Sequence, residues 1–74
     1  MTYLMDRITV DARMCGGRPC IRGMRIRVVD VLDMLASGLS RAELLDEMPD
    51  LEDADIDAAL RFASTRVNYP ILAA

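Results

Sequence analysis

Between Cys15 and Val28 the chain reads Cys-Gly-Gly-Arg-Pro-Cys-Ile-Arg-Gly-Met-Arg-Ile-Arg-Val. Three glycines, one proline and four arginines within fourteen residues exclude an unbroken helix and an ordinary central strand. Glycines here allow positive φ or close backbone approach. Pro19 fixes its own φ and biases Arg18 towards an extended conformation. The segment therefore reads as a stiff, irregular ribbon that presents Arg18, Arg22, Arg25 and Arg27 as a positively charged surface.

The ribbon connects two stretches of alternating polarity. Arg7-Ile-Thr-Val10 places Ile8 and Val10 on one face, and Arg25-Ile-Arg-Val28 does the same with Ile26 and Val28. Both predict short strands. Two such strands are not stable alone, so they must pack on helices or pair across a dimer.

Helical spacing begins near Val29. Asp30, Asp33 and Ser37 form one polar stripe, Val31, Leu32, Met34 and Leu35 cover the rest, and Gly38 supplies the stop. A second helix starts at Ser40, whose partner three residues on, Glu43, completes a capping box. Leu39 and Leu44 are spaced for a hydrophobic staple, and Pro49 ends the helix after Met48. A third helix starts near Glu52 or Asp53, with Leu51 and Ile56 as its staple. Its predicted inward face is Ile56, Ala59, Leu60, Ala63 and Val67, with Asp57 and Arg61 as an i,i+4 pair. Asn68 and Pro70 close it.

The expected fold is thus mainly α: one domain over residues 1–74, in which two short strands precede three helices. The basic Gly-Pro-Arg segment spans 1–28, the helices 29–67, and an apolar tail 68–74. The connection Pro49-Asp-Leu51 has the length of a helix-turn-helix joint.

A chain of 74 residues buries only about 60% of its unfolded surface. Yet 53% of it is hydrophobic, with one Phe, two Tyr and no Trp. An aliphatic, Met-rich core with apolar surface to spare points to a homodimer or a partner protein. Val67, Tyr69, Ile71 and Leu72 are the candidates for that contact. Charge is divided along the chain. Residues 1–27 carry six Arg and two Asp, a net of +4, and residues 28–74 carry three Arg and ten acids, a net of −7. Such a bipolar chain can pair with itself, with an acidic partner, or with phosphates.

The chemistry available is narrow. There is no His, the commonest general base and metal ligand. Two Cys alone do not make a structural zinc site, and Gly16-Gly17 fits neither a dinucleotide nor a P-loop fingerprint. Asp53, Asp55 and Asp57 sit at a helix start and read as caps. No nucleophile–base pair is present. The expectation is a non-enzyme with no cofactor, no metal and no membrane span, cytoplasmic, with Cys15 and Cys20 reduced.

Two binding modes stay open. In a helix-turn-helix the second helix reads bases from its N-terminus, which here would present Glu52, Asp53, Asp55 and Asp57 to phosphate. DNA contact would fall instead to Arg18, Arg22, Arg25 and Arg27, and would weaken steeply with salt. Protein contact would use the same arginines as bidentate partners of carboxylates, each charged hydrogen bond contributing about 1.5–3 kcal/mol. An acidic metal-dependent nuclease site is one such target.

The run Gly17-Arg-Pro-Cys-Ile-Arg-Gly-Met-Arg-Ile26 resembles the signature of the domain of unknown function 433 family. The likeness continues through Val28, Leu32, Leu35, Gly38, Leu39, Ser40, Glu43, Leu44, Pro49, Leu51, Ile56, Ala58, Ala59 and Leu60. The resemblance implies a homeodomain-like helical domain and an antitoxin of a type II toxin–antitoxin module. Such a protein would neutralise a PIN-like nuclease toxin by direct contact and repress its own operon. A stand-alone DNA-binding repressor and a dimeric adaptor that binds no DNA are the alternatives. Met24 stands where the family often has Thr, and Val29 where it often has a capping residue, which predicts a poorly capped first helix. The ending Leu72-Ala-Ala74 resembles the apolar end of a bacterial degradation tag, which would make the protein short-lived.

Overall fold

A computed structural model describes residues 1–72. It begins with three short strands, β1 (Thr2–Met5), β2 (Ile8–Val10) and β3 (Cys20–Ile21). They form one antiparallel sheet in the order β1-β2-β3. Three helices follow: α1 (Val28–Ala36), α2 (Arg41–Glu47) and α3 (Asp53–Val67). The predominantly helical character and all three helices agree with the sequence expectation. The Leu72-Ala-Ala74 ending lies only partly inside the structure, since residues 73 and 74 are outside the described residues.

The sheet corrects the expectation of two strands. β1 was not foreseen, and the second predicted strand, Arg25–Val28, is not one. Residues 20–27 form a tight hairpin instead. Arg22 and Gly23 both take positive φ (44° and 71°), and the Met24 N–H closes the turn on the Ile21 carbonyl at 2.8 Å. Two successive positive φ values are the signature of a type I′ turn, which twists with its flanking strands. The return leg keeps only a bridge between Arg27 and Cys20 and a bond from the Ile21 N–H to the Ile26 carbonyl, before Val28 opens α1.

The helix starts share one device. At α2 the Glu43 N–H donates to Ser40 Oγ at 3.1 Å and the Ser40 N–H to Glu43 Oε1 at 2.9 Å, the capping box read from the sequence. The cap of α1 is Arg27, not the Val29 position, and its N–H donates to the Asp30 carboxylate at 3.2 Å. At α3 the Glu52 N–H donates to Asp55 at 2.8 Å. Arginine has no acceptor, so α1 has only the carboxylate half of a box. No N-cap side chain accepts from the first turn of α1, as expected from the sequence; the Asp30 carboxylate satisfies only the Arg27 N–H.

Ile8, Ile21, Val28, Val31, Leu44, Leu51, Ile56, Ala58 and Ala59 make the core, with half-buried Met and Leu side chains around it. Both staple pairs contribute, through Leu44, Leu51 and Ile56. The inward face of α3 is rotated from the predicted one. Asp55, Ile56, Ala58 and Ala59 are buried, whereas Leu60 and Val67 are exposed. The phase error has a cause. Asp55 reads from the sequence as a cap of the helix start, which it is, yet its carboxylate is also wholly buried.

Candidate functional site

Asp55 occupies the junction between sheet and helices. Arg7 Nη1 donates to its Oδ1 at 2.9 Å and to Glu52 Oε1 at 2.7 Å. Arg22 forks onto the same carboxylate: Nε reaches Oδ1 and Oδ2 at 3.0 and 3.2 Å, and Nη2 reaches Oδ2 at 2.9 Å. Arg22 Nη2 also donates to the Asp50 carbonyl at 2.9 Å. Burial alone would raise the Asp55 carboxyl. Bonds from Arg22, the Glu52 N–H and Arg7 outweigh it and hold the group below the usual carboxylate range. Both arginines sit in turns at positive φ, Arg7 at 67° and Arg22 at 44°. A non-glycine residue there costs about 1–2 kcal/mol, which the bonds to Asp55 offset.

The other acids at the start of α3 are paired as well. Arg41 holds Asp53 at 2.9 Å and Asp57 at 3.1 Å. Asp57 therefore turns to Arg41 rather than to the expected Arg61, and the first turn of α3 is partly neutralised. The basic front and acidic back of the sequence thus meet inside one fold.

This placement divides the four arginines named from the sequence. Arg22 is engaged by Asp55, and Arg27 by Asp30 at 2.7 Å, which also holds the Asp30 carboxyl below its ordinary range. Arg25 is exposed and makes no hydrogen bond or ion pair among the described residues. Arg18 is exposed too, its Nη1 donating only to the Cys15 carbonyl at 3.3 Å. The structure thus pairs two of the four with carboxylates of the fold and leaves two without one among the described residues.

What it gathers was not foreseen. A groove of about 370 Å³ opens between α1 and α3, with Val28, Val29 and Leu32 on one side and Phe62 and Val67 on the other. Arg18 and Arg66 are its charged lining residues. The Arg66 guanidinium lies over the Phe62 ring, 5.9 Å from its centroid. Val67 is 74% exposed and leads into Tyr69, Ile71 and Leu72, all exposed, so the tail named from the sequence continues from the groove's open end. The available signal was Val29, an apolar residue at the foot of α1 with no buried position to fill.

Cys15 and Cys20 are both free, and burial, reinforced by the Cys15 thiol, pushes Cys20 up to about 11. Among the described residues no group of three or more Cys, Asp or Glu side chains could hold a metal ion, and no helix is long and apolar enough to cross a membrane.

A family model described as a protein of unknown function (DUF433) matches residues 8–63. That stretch runs from β2 into α3 and includes Arg22 and Asp55, but it stops short of Arg66, Val67 and the tail. No curated protein and no solved structure matches the chain.

Proposed function

The chain belongs to the DUF433 family, and on that premise we propose that it is an antitoxin-like regulatory binding protein. In this reading it acts in the cytoplasm as a dimer. It neutralises a PIN-like nuclease by direct protein contact and represses its own operon. The α2–α3 pair, joined through residues 48–52, is then the helix-turn-helix of a homeodomain-like domain.

One observation carries the proposal: an apolar groove between α1 and α3 that runs on into an exposed apolar tail. A small domain leaves such a surface open only where something covers it. Protein contact is favoured over DNA because Arg22 and Arg27, half of the arginine ribbon, already hold carboxylates of their own chain.

The test is a pull-down of the tagged full chain from the cells that encode it, at moderate salt, read by mass spectrometry. A stoichiometric small nuclease-like protein supports the reading. A bare chain, or one carrying only nucleic acid, overturns it in favour of a self-contained repressor. Salt separates the modes, since phosphate contacts collapse with ionic strength while an apolar interface persists.

A further inference from the structure

Among the described residues the groove between α1 and α3 is lined by two cations and no anions. In a chain of net charge −3, with ten acids among its last 47 residues, composition would place a carboxylate there. Arg7, Arg13, Arg22, Arg27 and Arg41 have carboxylate partners. Arg18, Arg25, Arg61 and Arg66 have none among the described residues, and of these Arg18 and Arg66 line the groove. Both are nonetheless held in place, Arg18 by the Cys15 carbonyl and Arg66 by the Phe62 ring. Each guanidinium carries five N–H donors, and Arg18 uses one of them. The groove therefore offers an apolar floor between two positioned, unpaired forks.

We infer that this groove docks an amphipathic helix of the partner protein, its apolar stripe flanked by carboxylates that pair with Arg18 and Arg66. The inference rests on the binding-protein reading above and names the chemistry of the partner. A volume of about 370 Å³ is at the small end of ligand pockets, enough for a few anchoring side chains. Both walls are helices whose backbone groups are bonded within the helix, so an added strand would find no ladder to join. Helix-in-groove docking needs only apolar anchors at i, i+3 or i+4, and i+7. Nucleic acid fits less well, because the floor is aliphatic and its one aromatic face lies under Arg66.

The probe is a displayed library of helical peptides, each about four turns long, selected against the full chain. Enriched peptides should share an apolar i, i+4, i+7 stripe with Asp or Glu beside it. Their affinity should fall about tenfold on an Arg18→Glu/Arg66→Glu variant and return when the flanking acids are exchanged for Lys. Should that variant fail to fold, Arg18→Gln/Arg66→Gln should still weaken binding of the acidic peptides. Enrichment without acidic bias, or binding indifferent to both variants, overturns the inference. So does sedimentation showing the groove closed by a second copy, opened by Leu32→Arg. The two readings fail separately. If the peptides behave as expected and the pull-down yields no partner protein, the antitoxin reading alone is lost. If a nuclease-like partner still binds the Arg18→Glu/Arg66→Glu variant, the groove assignment alone is lost.

Discussion

Arginine does opposite work in two regions of this molecule. At the sheet–helix junction, Arg7 and Arg22 enclose a buried carboxylate that has no contact with water. At the groove, Arg18 and Arg66 stand beside apolar walls with no carboxylate partner among the described residues. The junction is closed electrostatically, and its arginines accept unfavourable φ to keep it so. The groove is open and its arginines are unstrained. The contrast separates charge that is paired inside the fold from charge left unpaired among the described residues, a distinction that net charge cannot make.

The comparison breaks hardest at Asp55. Asp55→Ala leaves two positioned guanidiniums facing each other and removes the carboxylate that caps the Glu52 N–H. Removing one partner of a buried pair costs about 3–5 kcal/mol, and the partial exposure of both arginines puts the loss near the lower end, about 3 kcal/mol. Native domains have only about 5–15 kcal/mol in total, so the variant should be largely unfolded at modest urea. Chemical denaturation followed by circular dichroism measures it. A loss below about 1 kcal/mol would mean that the junction is no more structural than a surface pair.

Acid should act on the same site. The folded pKa of Asp55 is depressed below its unfolded value of about 3.9. A depressed carboxylate contributes stability that is present above the unfolded pKa and lost as pH falls through the folded one. Asp11, Asp30 and Glu43 are shifted in the same direction. With no His in the chain, stability should be level from neutrality to about pH 5 and fall below about pH 4. Asp55→Asn should be less stable at neutrality and lose less on acidification, so that the two urea curves converge. Parallel curves across that range would show that Asp55 is not the group titrating.

The three helices were legible because their signals are local. Ser40 and Glu43 cap α2 through neighbours three residues apart, and Pro49 and Gly38 punctuate the chain where it breaks. The sheet was not legible. Thr2-Tyr-Leu-Met5 has no alternation, and Cys20–Ile21 is a strand only because β2 lies beside it. The alternation of Arg25–Val28 is genuine but serves a hairpin leg and a helix start. The charge split and the arginine ribbon were visible, but the bonds that tie Arg22 and Arg7 to Asp55 span 33 and 48 residues, beyond any periodicity. The groove needed the phase of α3, which reads wrongly unless Asp55 is known to face inwards.

A gentler change at the junction sharpens the comparison. Arg22→Lys keeps the charge, the Cβ and the φ of 44°, so the backbone strain is unchanged. It removes the fork that reaches both Asp55 oxygens and the Asp50 carbonyl together. Lysine cannot reproduce that planar geometry, and about 1 kcal/mol of stability should go with it. Wild-type stability in Arg22→Lys would show that charge alone holds the junction.

The smallest effect on stability is expected at the groove. Arg18→Gln/Arg66→Gln removes two cations that pair with no carboxylate of the fold among the described residues, one backbone hydrogen bond and one ring contact. Exposed sites of this kind change stability by within about 0.5 kcal/mol. The thermal midpoint should therefore stay close to the wild type, while Asp55→Ala moves it far. Near-neutrality here gives the binding experiments their meaning, since affinity lost in this variant cannot be charged to a damaged fold. A drop of more than about 1 kcal/mol would instead place Arg18 and Arg66 with the structural arginines. It would also show that the groove is part of what keeps α1 and α3 together.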